Sequence, residues 1–199
     1  MAIAASDVLI ARNPATGAEL GRVPATPPEA VAEAVARARG AQEGWGETSW
    51  RHRQRVLRRW WAALTRRSDD LAEGLRREIG KPAIEALGEV VSTLDGVRWT
   101  VLRAGRALAD ERIGPGWQRW MLMPAARLRW RPFGVVGMIG TWNYPLFLNV
   151  PTIAAALAAG NAVVWKPSEW GVLTGRALEE SLEEAEVPAG LVATVYGGA

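Results

Sequence analysis

Apolar positions in the first half of the chain recur at helical spacing, and those near its end come in short runs. Thr26-Pro27-Pro28-Glu29 predicts a helix start, with Thr26 as N-cap, proline in the first turn and Glu29 three residues on as in a capping box. Val31, Ala34, Val35, Ala38 and Trp45 continue its apolar face. A second helix is expected from Ser49, burying Val56, Leu57, Trp60, Trp61 and Leu64. A third restarts at Ser68 and runs through Leu71, Leu75 and Ile79 to a stop at Gly80-Lys81-Pro82. Ile84, Leu87, Val91, Leu94, Val97 and Val101 predict the inward face of a fourth, longer helix. Before these helices, residues 8–25 alternate short apolar runs with Asn13-Pro14, Thr16-Gly17 and Val23-Pro24, the pattern of a ribbon with turns.

After Gly114-Pro115-Gly116 the period changes. Trp117 to Arg131 reads as extended, with Arg127, Arg129 and Arg131 on one side and Leu128 and Trp130 on the other. Strands follow at Val135–Ile139, Ala162–Trp165 and Leu191–Tyr196. Between them lie an alanine-rich helix closed by Gly160 and another using Leu173, Ala177, Leu178 and Leu182. This alternation predicts an α/β fold with a parallel sheet and right-handed crossovers. The expected divisions are a helical part over residues 6–116, an extended arm over 117–133 and a βαβαβ unit over 134–199.

Composition narrows the classes. A 199-residue chain with 49% hydrophobic and 23% charged residues is that of a globular protein. No run approaches the ~20 apolar residues of a membrane span, and the N-terminus lacks the pattern of a secretory signal. The cytoplasm is the expected compartment, with no membrane partner. Zero cysteine excludes disulfides and thiolate metal sites, and one histidine, His52, argues against zinc, so no metal is expected. Of 24 basic residues only Lys81 and Lys166 are lysine, which suggests positions that want a compact ammonium. The arginines of residues 51–67 lie largely opposite the tryptophans, as on a solvated amphipathic helix, so no nucleic-acid partner is expected.

Two loops carry the candidate chemistry. The first, Gly140-Thr141-Trp142-Asn143-Tyr144-Pro145, leaves a strand end where open parallel sheets bind ligands. Gly140 there would let a ligand approach the backbone. Asn143 could donate to a developing oxyanion, or it could N-cap the following helix. In the second, Lys166-Pro167-Ser168-Glu169, lysine and glutamate could hold ribose hydroxyls; alternatively, Ser168 or Glu169 satisfies amides at a helix start.

These loops, with the opening Asn13-Pro14-Ala15-Thr16-Gly17 and the helix end Glu78-Ile79-Gly80-Lys81-Pro82, closely resemble the N-terminal portion of NAD(P)-dependent aldehyde dehydrogenases. The resemblance implies the first half of a Rossmann-like coenzyme-binding domain and oxidation of an aldehyde substrate to a carboxylic acid. It implies that Asn143 stabilises the oxyanion and that Lys166 and Glu169 bind the adenosine ribose of NAD, with NADP as the alternative. Ile139, Gly140, Thr141 and Trp142 would line the dinucleotide cleft, and Ser168 counts among the cofactor-binding residues. The segment around Trp117 to Arg131 would be the β-arm of a homo-oligomer, or of an assembly with a partner chain. The family's G-S-T-x-x-G turn, its E-L-G-G segment with the general base and its catalytic cysteine are not in these 199 residues. The expectation is therefore a truncated form, inactive alone. The other reading is a non-catalytic assembly module that pairs with a separate catalytic chain.

Overall fold

The computed structural model describes residues 8–114 and 126–198. Strands β1 (Val8–Arg12) and β2 (Glu19–Pro24) pair antiparallel. The turn between them is built by Asn13, whose Oδ1 accepts from the amides of Ala15 at 2.9 Å and Thr16 at 3.1 Å. Helices α1 (Pro28–Gly46), α2 (Trp50–Arg66), α3 (Ser68–Gly74) and α4 (Ala83–Ala107) follow. A π-helical turn, Leu75–Ile79, extends α3 to a left-handed stop at Gly80, whose φ is +79°. A Cβ at Gly80 would also lie 2.7 Å from the Pro14 ring, so the stop is fixed sterically as well.

Helix α2 starts where the sequence predicts, after Ser49, whose side chain caps it by accepting from the His52 amide. The cap expected at Thr26 does not form. Helix α1 starts after Pro27 without a side-chain cap. Thr26 instead bridges to the far end of the described chain: its hydroxyl accepts from the Tyr196 amide at 2.9 Å, and its amide donates to the Tyr196 carbonyl at 2.7 Å. A long-range pairing has taken the oxygen that a local cap would use.

Helix α4 keeps only the later part of its expected face, with Val97 and Val101 buried and Leu94 partly so. Ile84, Leu87 and Val91 are exposed, and the buried row in this part of the helix is Ala86, Glu89, Val90 and Thr93, continuing to Val97, Thr100, Val101 and Ala104. Small and polar residues face inward because α5 (Val150–Ala158) lies close, with Pro151 against Gly96.

Strands β3 (Glu111–Ile113) and β4 (Ala126–Leu128) form an exposed antiparallel ribbon, so the extended arm includes residues on the helical side of Gly114. The rest of the expected arm, residues 117–125, lies outside the described residues. Among those described, Leu128 and Trp130 are exposed like the arginines around them, so the alternation buries no face here.

The remaining strands make a parallel sheet in the order β5 (Val135–Ile139), β6 (Ala162–Lys166), β7 (Val192–Thr194). Central β6 is buried from Ala162 to Trp165, as a strand covered on both faces must be. Helix α5 crosses between β5 and β6, and α6 (Val172–Glu184) between β6 and β7. One core joins α1, α2, α4, α5 and α6 to the sheet around Trp60, Trp165, Leu57 and Ile153. Much of the arginine row of α2 turns out to be a fastening. Arg59 donates to the carbonyls of Ala185 and Glu186, and Arg66 and Arg67 pair with Glu184 and Glu180 of α6. Among the described residues, no helix is long and apolar enough to cross a membrane.

Candidate active site

The register of the sheet brings the two loops together. Ile139, the last residue of β5, lies opposite Lys166, the last of β6, and the Gly140 amide donates to the Lys166 carbonyl at 2.7 Å. The 140–145 loop and the 166–171 turn therefore leave the same edge of the sheet. Ile139 is 81% exposed and Trp142 61%; Asn143 is exposed, and Thr141 half-buried. Trp142 and Trp170 line a cleft of about 300 Å³ with Pro14, Glu78 and Ile79. On the other side, Tyr144, Phe147 and Leu148 of the loop and Glu85, Gly88, Glu89 and Ser92 of α4 line a second cleft, of about 500 Å³.

Lys166 is only a quarter exposed. Its ammonium donates to the Gly197 carbonyl at 2.9 Å and lies 3.7 Å from Glu169 Oε2. A donor and an acceptor, both partly open, thus stand side by side at the sheet edge, a pairing suited to vicinal hydroxyls. Ser168 is different. It is buried, and its hydroxyl accepts from the Trp170 amide at 3.3 Å, so it shapes the turn and is not open to a ligand. Gly140 also has an internal reason. A Cβ there would stand 2.8 Å from the Trp165 indole nitrogen and 3.2 Å from both the Asn149 amide and the Lys166 carbonyl. Close packing of the protein on itself, before any ligand, requires glycine at this point.

Both loops run into helical turns, and the amides at the start of those turns need acceptors. The obvious local ones are not used. Leu146 and Phe147 donate at 2.9 and 3.2 Å to Oε1 of Glu89, a buried residue of α4. Leu173 and Thr174, at the start of α6, donate at 2.8 Å each to Glu78, buried in the π-helical turn, which also accepts from the Thr174 hydroxyl at 2.8 Å. Asn143 does not cap α5, which begins seven residues later, at Val150 after Asn149. Neither Ser168 nor Glu169 caps α6.

Each glutamate brings its own electrostatics. Lys81 pairs with Glu89 through Oε2, and its ammonium also lies 3.8 Å from the centroid of the Tyr144 ring. Burial pushes the Glu78 carboxyl above its ordinary value, while the hydrogen bonds from Leu173 and Thr174 pull it back in part. Nothing in the local spacing announces either role. Glu78 and Glu89 reach amides 95 and 57 residues away, and the one available signal was an acidic residue at an otherwise buried helical position.

The profile of the aldehyde dehydrogenase family matches residues 3–199. The chain belongs to that family. It is 34% identical over 187 residues to a 3-sulfolactaldehyde dehydrogenase of Pseudomonas putida, covering 94% of this chain and 37% of that protein. It is 37% identical to an N-succinylglutamate 5-semialdehyde dehydrogenase of Novosphingobium aromaticivorans, covering 96% and 39%. Its fold superposes with a TM-score of 0.89 on NADP-dependent glyceraldehyde-3-phosphate dehydrogenase from Bacillus halodurans, solved with NADP, at 33% identity over 97% of this chain and 40% of that one. The chain thus spans about two fifths of the length of these family members. The α/β fold expected from the sequence, helices followed by a parallel sheet, is the family's.

Proposed function

We propose that this chain carries two parts of an NAD(P)-dependent aldehyde dehydrogenase site: the oxyanion amide, Asn143, and the adenosine-ribose end of the cofactor site, Lys166 and Glu169. One observation carries the reading. Glu78 takes the start amides of α6 and Glu89 those of the turn that follows the first loop, so the polar side chains at the strand ends are not drawn into capping and stay open to ligand.

The residues present fit the cofactor end. The Lys166 ammonium would donate to one ribose hydroxyl and the Glu169 carboxylate would accept from the pair, with Ile139, Thr141 and Trp142 beside the cofactor. NAD(P) held there supplies the acceptor for the aldehyde's hydride. The Asn143 amide donates to the negative oxygen that forms when a nucleophile adds to the aldehyde carbon. These 199 residues contain no cysteine to be that nucleophile, so the polypeptide alone turns over no aldehyde. NADH formation above the buffer blank, surviving repurification, would refute this.

Glu169 also sets a preference. A carboxylate that accepts from both ribose hydroxyls repels a 2′-phosphate, so NAD binds better than NADP, although a structural relative was solved with NADP. Calorimetric titration of both cofactors into the parent and into Glu169→Gln tests the assignment. The expected result is weak binding by the parent with NAD favoured, and a shift of about 10-fold toward NADP in the variant. Equal binding of both by the parent, or no relative gain for NADP, removes Glu169 from the site.

A second reading has an observation of its own. Ile139, Trp142, Phe147 and Leu148 are all exposed around the loop, as on a surface that a separate catalytic chain covers, and the chain would then serve as an assembly module.

A further inference from the structure

We propose that Lys81 and Glu89 are a positioning pair that sets the pose of the Asn143 loop; the proposal rests on the reading of Asn143 given above. Four contacts converge on one stretch of backbone. Glu89 Oε1 accepts from the Leu146 and Phe147 amides, and Glu89 Oε2 holds the Lys81 ammonium. That ammonium lies against the face of Tyr144, the residue next to Asn143. The Glu89 side chain is fully buried and that of Lys81 only 11% exposed, so solvent competes little with either interaction.

The arrangement also explains a feature of the sequence. In a chain whose basic residues are arginine everywhere but at positions 81 and 166, position 81 keeps a lysine. It must meet a buried carboxylate and an aromatic face at once, in the space between a helix stop and a loop. A compact ammonium on a flexible stem meets both with a single nitrogen, whereas a guanidinium would bring a larger planar fork to the same point.

Lys81 follows the Gly80 stop and Glu89 sits on the inward face of α4, so the loop's pose is referred to the helical layer as well as to the strand it leaves. At the strand end the Gly140 amide donates to the Lys166 carbonyl at 2.7 Å, and at the helix end Asn149 donates to the Pro145 carbonyl at 2.7 Å and closes the turn. Asn143 is thereby held at both ends of its loop while its own side chain remains exposed. A donor aimed at a transient charge needs this arrangement, since it must be in place before the charge forms.

The chain has four asparagines, Asn13, Asn143, Asn149 and Asn161, so selective 15N-asparagine labelling gives four side-chain amide pairs. In Lys81→Met and in Glu89→Gln, the Asn143 and Asn149 pairs are expected to shift, while those of Asn13 and Asn161 stay in place. Val90→Ala, which loosens the core from the neighbouring buried position, is the control for general destabilisation and should leave the Asn143 pair unmoved. Residue-resolved hydrogen exchange on the unaltered chain gives a second readout that needs no variant. Leu146 and Phe147 should be protected, and Glu89→Ala should speed their exchange on the order of 10-fold or more. The proposal is overturned if Leu146 and Phe147 exchange in the parent like unprotected amides. It is equally overturned if the Asn143 pair stays put in folded Lys81→Met and Glu89→Gln, or moves as much in Val90→Ala. None of these readouts involves cofactor. A chain that binds no NAD(P) but shows the clamp fails the functional reading alone, and one that binds NAD(P) with Leu146 and Phe147 unprotected fails the clamp alone.

Discussion

Glu78 and Glu89 show how much of this fold depends on single side chains acting across the chain. A carboxylate can accept two amides at a helix start better than a hydroxyl can, and its charge complements the helix dipole. For Glu78 the cost is burial, which holds its carboxyl above the ordinary value of 4.5. The folded state therefore keeps this proton to a higher pH than the unfolded chain does. Stability from this group is greatest below about 4.5 and falls as pH rises through the raised folded value. Glu78→Gln removes that titration while retaining an acceptor oxygen. Melting temperatures measured from pH 4 to 8 should decline less steeply on the alkaline side in the variant than in the parent. Parallel curves would show that Glu78 does not titrate in this window. Neither glutamate could be assigned from the sequence, because a cap is recognisable there only when it is local, as at Ser49. The positions of the candidate site residues were legible. Asn143, Lys166 and Glu169 stand at the ends of strands whose apolar runs are unmistakable, in loops that resemble a known family. Ser168 and Gly140 were legible as positions but not as roles, since their surroundings come from Trp170, Trp165 and Asn149.

Among the elements, α1, α2 and α6 bury the faces their periodicity predicts, α2 and α6 with large apolar side chains and α1 with Ala34, Ala38 and Trp45. Helix α4 does so only in part, because Ile84, Leu87 and Val91 lie on the outer face, and between the buried Val90, Val97 and Val101 the inner face is made of alanine, threonine and Glu89. Small residues carry little hydrophobic signal, yet they decide how near two helices come. At Gly96 an added Cβ would meet the Pro151 ring at 2.8 and 3.1 Å, whereas at Gly88 on the same helix it would meet nothing within 4 Å. Replacing glycine by alanine in a helix gains roughly 1 kcal/mol of propensity. Overpacking against a rigid ring costs about 1–3 kcal/mol, so at Gly96 the steric effect wins. Gly88→Ala should stabilise the chain by up to about 1 kcal/mol and Gly96→Ala should destabilise it by about 1–2 kcal/mol. Urea denaturation gives both midpoints. A stabilised Gly96→Ala would mean that α4 and α5 are less closely packed than described.

At the scale of the whole molecule, the described residues form one large core around the parallel sheet, a second small one under the β1–β2 ribbon, and an apolar surface left exposed. The sheet has three strands, and β5 and β7 each have a single neighbour among the described residues, so each presents unpaired backbone groups along one edge. Large apolar side chains stand around these edges and the outer face of α4: Phe133 is 97% exposed, Ile84 77%, Trp170 68% and Trp99 60%. Isolated exposed apolar residues are ordinary, but several near open strand edges and along one helix face are a surface for association. The basic excess is small, a net charge of +3, and offers little repulsion between copies. The 199-residue polypeptide should therefore fold around the core described and then self-associate, or remain bound to another chain, and not behave as a stable monomer. Far-ultraviolet dichroism should report the expected helix, while light scattering should show a mass that rises with concentration from micromolar upward. Adding salt should not reverse the association, because apolar contact and strand pairing, not charge, drive it. A monodisperse monomer that unfolds in one cooperative transition at every concentration would overturn this expectation, and would favour an autonomous module over one part of a larger catalytic assembly.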